Sequence, residues 1–198
     1  MNVVFDLGGV VVEWQPDLLI ARYFTDASER AAVRREVLDH PDWLALDRGT
    51  LPREDAIARG ALRTGIDSAR LEAFFLAMPP ALVPMQDTIS LMHQLRDKGA
   101  PLYCLSNMHI ASIAYLEANH NFFELFSGKT ISCRVQAIKP EAAIYQHLLS
   151  SCRLIPSDSV FIDDLQVNLD AAAAFGMRTI QFRDAAQCTA ALRALGCL

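Results

Sequence analysis

Basic charge is scarce in this sequence. Eighteen Lys and Arg stand against 23 Asp and Glu, a formal net charge of −5 over 198 residues. No extended cationic face is therefore available to hold nucleic acid by bulk electrostatics. Long apolar runs are missing too, and no stretch approaches the roughly 20 residues that cross a bilayer. The apolar N-terminal run is interrupted by Asp6 and has no basic flank, so it does not read as a signal peptide. The cysteines Cys104, Cys133, Cys152, Cys188 and Cys197 are odd in number and form no C-x-x-C pair. Several lie in apolar runs as small buried hydrophobes do, which suits a reducing cytoplasm better than export. Repeats, low-complexity segments and long linkers are also absent. What is there is the composition of an ordinary globular chain, 52% apolar and 21% charged, of a length for one α/β domain or a smaller core with an inserted lobe.

Short apolar runs alternate with helical patterns, the signature of βαβ units and a parallel sheet. The expected strands are 3–5, 102–105, 130–132, 160–162 and 179–182. Helical segments are expected near 86–98, 109–120, 140–151, 166–175 and 186–195. Gly99 and Gly176 fall where helices end, and Pro140 and Pro156 where a helix or turn begins. The stretch 15–85 differs. It carries amphipathic helical patterns near 16–24, 28–39, 53–64 and 68–77 and no convincing strand. Gly49 and Pro52 punctuate it, and Pro79-Pro80 and Pro84 close it. The expected fold is a Rossmann-like α/β three-layer sandwich with a parallel sheet. A core of 1–14 and 86–198 carries a small helical cap, 15–85, inserted after the first strand.

Ligands of open parallel sheets bind beyond the carboxyl ends of the strands, so polar residues directly after the strand runs are the candidates. Asp6 follows Val3-Val4-Phe5, with Gly8 and Gly9 allowing a tight turn over a ligand. Ser106-Asn107 follows Leu102–Leu105 and offers a hydroxyl and backbone N–H groups to an anion. Lys139 stands before Pro140 in a loop that can face the strand ends. Asp163-Asp164 follows Val160-Phe161-Ile162, with Asn168 close behind. Adjacent carboxylates repel, so one naturally takes a cation and the other supports it. Each alone has an ordinary reading: a turn aspartate, a helix cap, a surface lysine, a capped helix start. Four strand ends that together supply a nucleophile, anion donors, a lysine and an acid pair meet the needs of phosphoryl transfer.

The order and spacing of these elements resemble the haloacid dehalogenase superfamily through the whole core, and the position of the helical insert resembles its first cap type. Phe-Asp-Leu-Gly-Gly-Val, Leu-Ser-Asn, Lys-Pro-Glu-Ala-Ala-Ile-Tyr and Phe-Ile-Asp-Asp with Asn168 are similar to bacterial α-D-glucose-1-phosphate phosphatases. The resemblance implies that Asp6 attacks phosphorus and becomes an aspartyl phosphate. It implies Mg²⁺ held by Asp6, the Gly8 carbonyl and Asp164, with Asp163 supporting the metal through water and Asn168 stabilising that loop. Ser106, the Asn107 amide and Lys139 would hold the phosphoryl oxygens of a small phosphate ester. No membrane or nucleic-acid partner is implied, and oligomeric state is not legible.

One departure stands out. Many superfamily phosphatases carry a second aspartate two residues after the nucleophile as general acid and base, and this chain has Gly8. A missing positioned acid can cost roughly 10²–10⁴ in rate. Three explanations compete: a leaving group that needs little protonation, such as an anomeric sugar oxygen, a substrate or cap group that supplies the proton, or weak or absent activity. Absence of an acid predicts a steep dependence of rate on leaving-group basicity. His40 and His109 are candidate proton carriers, and Arg48-Gly49 ends a helix over the site or serves as a plain cap. Trp14, Trp43 and Phe24 read as core. Two other functions compete: a 2-haloacid dehalogenase, disfavoured by the doubled acid, and a catalytically weak regulatory protein that keeps the phosphate pocket.

Overall fold

Val3, Val4 and Phe5 are wholly buried, and burying such side chains stabilises by about 1.5–3 kcal/mol each. That makes β1 (Asn2–Phe5) the central strand of the sheet in the computed structural model, which describes residues 1–198. The other strands are β2 (Leu102–Ser106), β3 (Phe126–Ile131), β4 (Ser159–Asp163) and β5 (Arg178–Gln181). The order is β3-β2-β1-β4-β5, and every pairing is parallel.

Alternation along the strands separates two apolar layers. Val3, Phe5, Leu102, Cys104, Val160 and Ile162 share one. It is covered by α6 (Gln86–Asp97), α7 (Ile110–Asn119) and α11 (Ala185–Ala194). Val4, Leu105 and Phe161 face the other, under α9 (Ala142–Ser151) and α10 (Gln166–Ala174). This is the expected three-layer α/β sandwich. The connecting helices change faces where the strand order reverses, beside β1, and that reversal opens the crevice in which Asp6 lies.

Residues between β1 and α6 form α1 (Pro16–Tyr23), α2 (Ala27–Val33), α3 (Pro41–Arg48), α4 (Arg53–Thr64) and α5 (Ser68–Ala81). They enclose an apolar cluster of their own, including Leu19, Phe24, Val37, Leu71 and Phe74. No helix is long and apolar enough to cross a membrane.

Several boundaries differ from the sequence reading. The pattern at 28–39 is α2 followed by a π-helical turn, Arg34–Leu38. Helix α3 was not among the expected helical segments, although Arg48-Gly49 was read as a helix end or cap, and α3 does end at Arg48 with Gly49 as its cap. Pro79-Pro80 lies inside the last turn of α5 rather than beyond it. Strand β3 starts at Phe126, and Ser132 already belongs to a short helix, α8 (Ser132–Val135). Pro140 does not open α9, which begins at Ala142 after an extended Glu141. Gly99 and Gly176 do follow helix ends, with φ of +81° and +84°.

Candidate active site

Asp6 follows β1 directly. Its Oδ1 accepts the N–H of Leu7 at 2.7 Å and lies 2.9 Å from the Lys139 ammonium. Lys139 also donates to Asp163 Oδ2 at 2.7 Å, and its side chain is 1% exposed. Asp163 is wholly buried and fully engaged. It accepts Asn168 Nδ2 on both oxygens, at 3.0 and 3.1 Å, and the N–H of Leu165 at 2.8 Å. Asn168 is held in turn by the Tyr145 hydroxyl, which donates to its carbonyl at 2.9 Å. The lysine is fixed through its backbone. Its N–H donates to Asn107 Oδ1 at 2.8 Å, and Asn107 Nδ2 donates to its carbonyl at 3.0 Å.

Carboxylate oxygens of Asp6, Asp163 and Asp164 come within 4.8 Å of one another. Burial raises the Asp6 pKa; Lys139 pulls it down, and Asp163 and Asp164 push it up. Asp164 is raised for the same reasons, burial first and then Asp163. Burial alone would depress Lys139, but Asp6 and Asp163 outweigh it and hold the ammonium charged. Three acids around one lysine leave an excess of negative charge in a buried place, which fits a divalent cation with oxygen ligands. The Ser106 hydroxyl is buried with no hydrogen-bond partner. A buried polar atom left free at a strand end fits a donor reserved for a bound anion.

Asp6, Asn107, Lys139, Asp164 and Asn168 line a cavity of about 500 Å³ roofed by the helical lobe, while Ser106 and Asp163 lie buried behind its wall. Trp14 and Trp43 stack on its wall with centroids 6.1 Å apart. Both were expected in the core; only Phe24 is wholly buried there. Asp17 and Arg34, 3.3 Å apart, also face the cavity. Gly8 lines it too, and a Cβ there would meet nothing nearer than Trp14 Cβ at 3.8 Å.

Of the two histidines, His40 caps α3 by accepting the Asp42 N–H at 3.1 Å and does not line the cavity. His109 does line it. It is 5% exposed, lies 3.0 Å from the Ser112 hydroxyl, and packs edge-on to Trp43. Burial, then Arg53, lowers its pKa to about 4, so the ring is neutral. Several lining residues were missed, among them Asp17, Arg34 and Asp47; Asp47, on α3, is 8% exposed. The available signal was an acid at helical spacing from Trp43, on the face that buries Leu46.

Residues 1–176 match the family model described as haloacid dehalogenase-like hydrolase. The chain belongs to that family. Among its relatives is the sesquiterpene phosphatase astK of Aspergillus oryzae. It is 25% identical over 195 residues, covering 98% of this chain and 96% of that one. A HAD family enzyme from Bacteroides thetaiotaomicron, in complex with magnesium and inorganic phosphate, shares the fold with a TM-score of 0.74 at 20% identity. That match covers 92% of this chain and 93% of the other. The L-2-haloacid dehalogenase of Xanthobacter autotrophicus is similar in fold as well (TM-score 0.69, 17% identity, 98% and 82% covered).

Proposed function

We propose that this hydrolase is a Mg²⁺-dependent phosphatase that cleaves a small phosphomonoester through an aspartyl phosphate on Asp6. The observation that carries the reading is the cluster of Asp6, Asp163 and Asp164, with carboxylate oxygens within 4.8 Å of one another and Lys139 paired to the first two. Displacing a halide calls for no such concentration of negative charge, so the dehalogenase reading is weaker. The Mg²⁺ and phosphate held by the Bacteroides enzyme, and the phosphatase activity in astK's name, point the same way.

The residues divide the work. Asp6, the Gly8 carbonyl and Asp164 would hold Mg²⁺, which supplies charge neutralisation for the phosphoryl group when bound. Asp163, tied to Lys139, Asn168 and the Leu165 N–H, keeps the lysine and the following loop in place. The Lys139 ammonium, the free Ser106 hydroxyl and the Asn107 backbone would receive phosphoryl oxygens, leaving Asp6 in line to attack phosphorus. Water then hydrolyses the intermediate. Residues 15–85 act as the cap that closes over a core of 1–14 and 86–198.

A sugar phosphate such as glucose 1-phosphate is the narrower reading. The Trp14–Trp43 wall suits the apolar face of a pyranose, and Asp17 and Arg34 suit its hydroxyls. A substrate like that in astK's name would use the aromatic wall and leave the polar pair idle. A phosphate-release screen of sugar, prenyl and aryl phosphates with Mg²⁺ separates the two. Chelation and Asp6→Asn should each abolish turnover with the fold intact, and fluoroberyllate should be trapped only when Asp6 is present. Undiminished turnover in metal-free protein or in the Asn variant would overturn the reading. Chloride release from a 2-haloacid without metal would favour the dehalogenase.

A further inference from the structure

The gap at Gly8 leaves the departing oxygen without the carboxyl that many family phosphatases place there. The helical lobe offers one. Asp47 sits in the last turn of α3, on the wall of the cavity that also exposes Asp6, Gly8 and Lys139. Its side chain is almost wholly buried and makes no ion pair; the His109 backbone N–H is the hydrogen-bond donor that faces it. A carboxylate in that setting has lost its hydration without gaining a cation. It also stands at the negative end of a helix, which disfavours the ionised form further.

Asp47 is held over the core by three contacts at the end of α3. The Ser132 hydroxyl donates to the Asp47 carbonyl at 2.6 Å and itself accepts the Met108 N–H at 2.8 Å, next to Asn107. Arg48 makes a two-pronged pair with Glu141, at 2.7 and 2.5 Å, two residues after Lys139. Gly49 follows with φ of +78°, so close to α8 that a Cβ would fall 2.6 Å from the Cys133 carbonyl. These contacts fasten the end of α3 to the loops that carry Asn107 and Lys139. A rigid element of this kind is what positions a reacting group.

We propose that Asp47 is the general acid and base of this enzyme, a cap-borne substitute for the carboxyl missing at Gly8. The proposal rests on the phosphatase reading above. In the first step Asp6 Oδ forms a bond to phosphorus, the bond from phosphorus to the ester oxygen breaks, and that oxygen takes the Asp47 proton and leaves as an alcohol. In the second step water attacks the aspartyl phosphate, its proton returns to the Asp47 carboxylate, and Asp6 and inorganic phosphate are released. The protonation state agrees: burial, reinforced by the Asp6 charge and only partly offset by the His109 N–H and Lys139, raises Asp47 to about 7. A carboxyl near that value can both give and take a proton at neutral pH. Neutral His109 on the same cavity has no proton to spare beyond its N–H, and the Lys139 ammonium is held by Asp6 and Asp163.

The test is a leaving-group series read as kcat/KM, from 2,4-dinitrophenyl phosphate to simple alkyl phosphates, in wild type, Asp47→Asn and Gly8→Asp/Asp47→Asn. Wild type should depend only shallowly on leaving-group basicity. Asp47→Asn should lose about 10²–10⁴-fold on alkyl phosphates and only a few-fold on the dinitrophenyl ester, whose oxygen leaves unprotonated. Retained Mg²⁺-dependent fluoroberyllate binding would show that its site is folded. The double variant, with a carboxyl in the open space beside Gly8, should recover much of the alkyl activity. Equal losses across the series, or full alkyl activity in Asp47→Asn, would overturn the assignment while leaving the phosphatase intact. A wild type inert even towards the dinitrophenyl ester would overturn both.

Discussion

Asn107 and Lys139 exchange two hydrogen bonds, the lysine N–H to Asn107 Oδ1 at 2.8 Å and Asn107 Nδ2 to the lysine carbonyl at 3.0 Å. One donor and one acceptor of the asparagine side chain are thus spent on the backbone of another loop. It splices the end of β2 to the segment before α9, so the buried ammonium arrives at Asp6 and Asp163 with its main chain already fixed. Asn107→Ala removes both bonds and leaves a partly buried N–H and C=O unpaired. A loss of about 1–3 kcal/mol in urea unfolding is expected. Turnover should fall more than stability explains, because Lys139 is no longer held. Asn107→Asp should not rescue it, since a carboxylate oxygen would face the Lys139 carbonyl. Wild-type turnover in either variant would mean that the pair is incidental.

Lys139 is the cation that the buried acids depend on. With Lys139→Ala, Asp6 and Asp163 lose their partner, and breaking a buried pair from one side costs roughly 3–5 kcal/mol. A divalent cation bound among Asp6, Asp163 and Asp164 restores positive charge to the same space. Thermal unfolding should therefore drop sharply in metal-free Lys139→Ala, and Mg²⁺ should recover more of the loss there than it adds to wild type. Equal Mg²⁺ shifts in the two proteins would separate the lysine from the metal site.

Local chemistry carried much of this architecture. Apolar runs such as Val3-Val4-Phe5 and Val160-Phe161-Ile162 are buried on both faces, so they announced central strands, and the polar residue after each announced the crevice. Strand β3 was legible only at its end. Its first residues, Phe126 to Lys129, alternate between half-buried and exposed on the sheet edge, which weakens the apolar signal. Asp47 was invisible for a different reason. Nothing local distinguishes an acid on a short helix from a solvated one. Its place in the cavity depends on Ser132, Arg48–Glu141 and Gly49 docking α3 on the core, and the two hydrogen-bonded contacts span 85 and 93 residues of sequence. The Asn107–Lys139 exchange is likewise a tertiary pairing of two residues that each read as something simpler.

Gly9 has φ of +74°, and a Cβ there would lie 2.7 Å from Asp164 Oδ2. Gly9→Ala therefore does two things: it strains the backbone by about 1–2 kcal/mol and pushes aside a proposed metal ligand. Gly65→Ala separates them. Gly65 has φ of +71° with nothing within 4 Å of the added atom, so it carries the strain alone. Both variants should lose similar stability, while only Gly9→Ala should lose Mg²⁺ affinity, by about tenfold or more if a ligand contact of about 1.4 kcal/mol is forfeited. Calorimetric titration with Mg²⁺ decides it, and unchanged affinity in Gly9→Ala would remove Asp164 from the ligand set.

Neutral His109 gives the fold an acid sensitivity of definite sign. Burial lowers its pKa from 6.5 to about 4 in the folded chain. Between those values the unfolded chain binds a proton that the folded chain refuses, so stability falls as pH falls through 6.5 and the fall is complete below 4. The full effect amounts to about 3 kcal/mol, of which about 2 kcal/mol is lost between pH 7 and pH 5. His109→Gln keeps a polar group near the Ser112 hydroxyl and cannot titrate. Buried carboxylates contribute their own pH dependence to both proteins, so the informative quantity is the difference between them. Urea unfolding at pH 7 and pH 5 should show wild type losing about 2 kcal/mol more than His109→Gln over that interval. Parallel losses would mean that His109 accepts a proton in the folded state and is not the neutral wall that its burial implies.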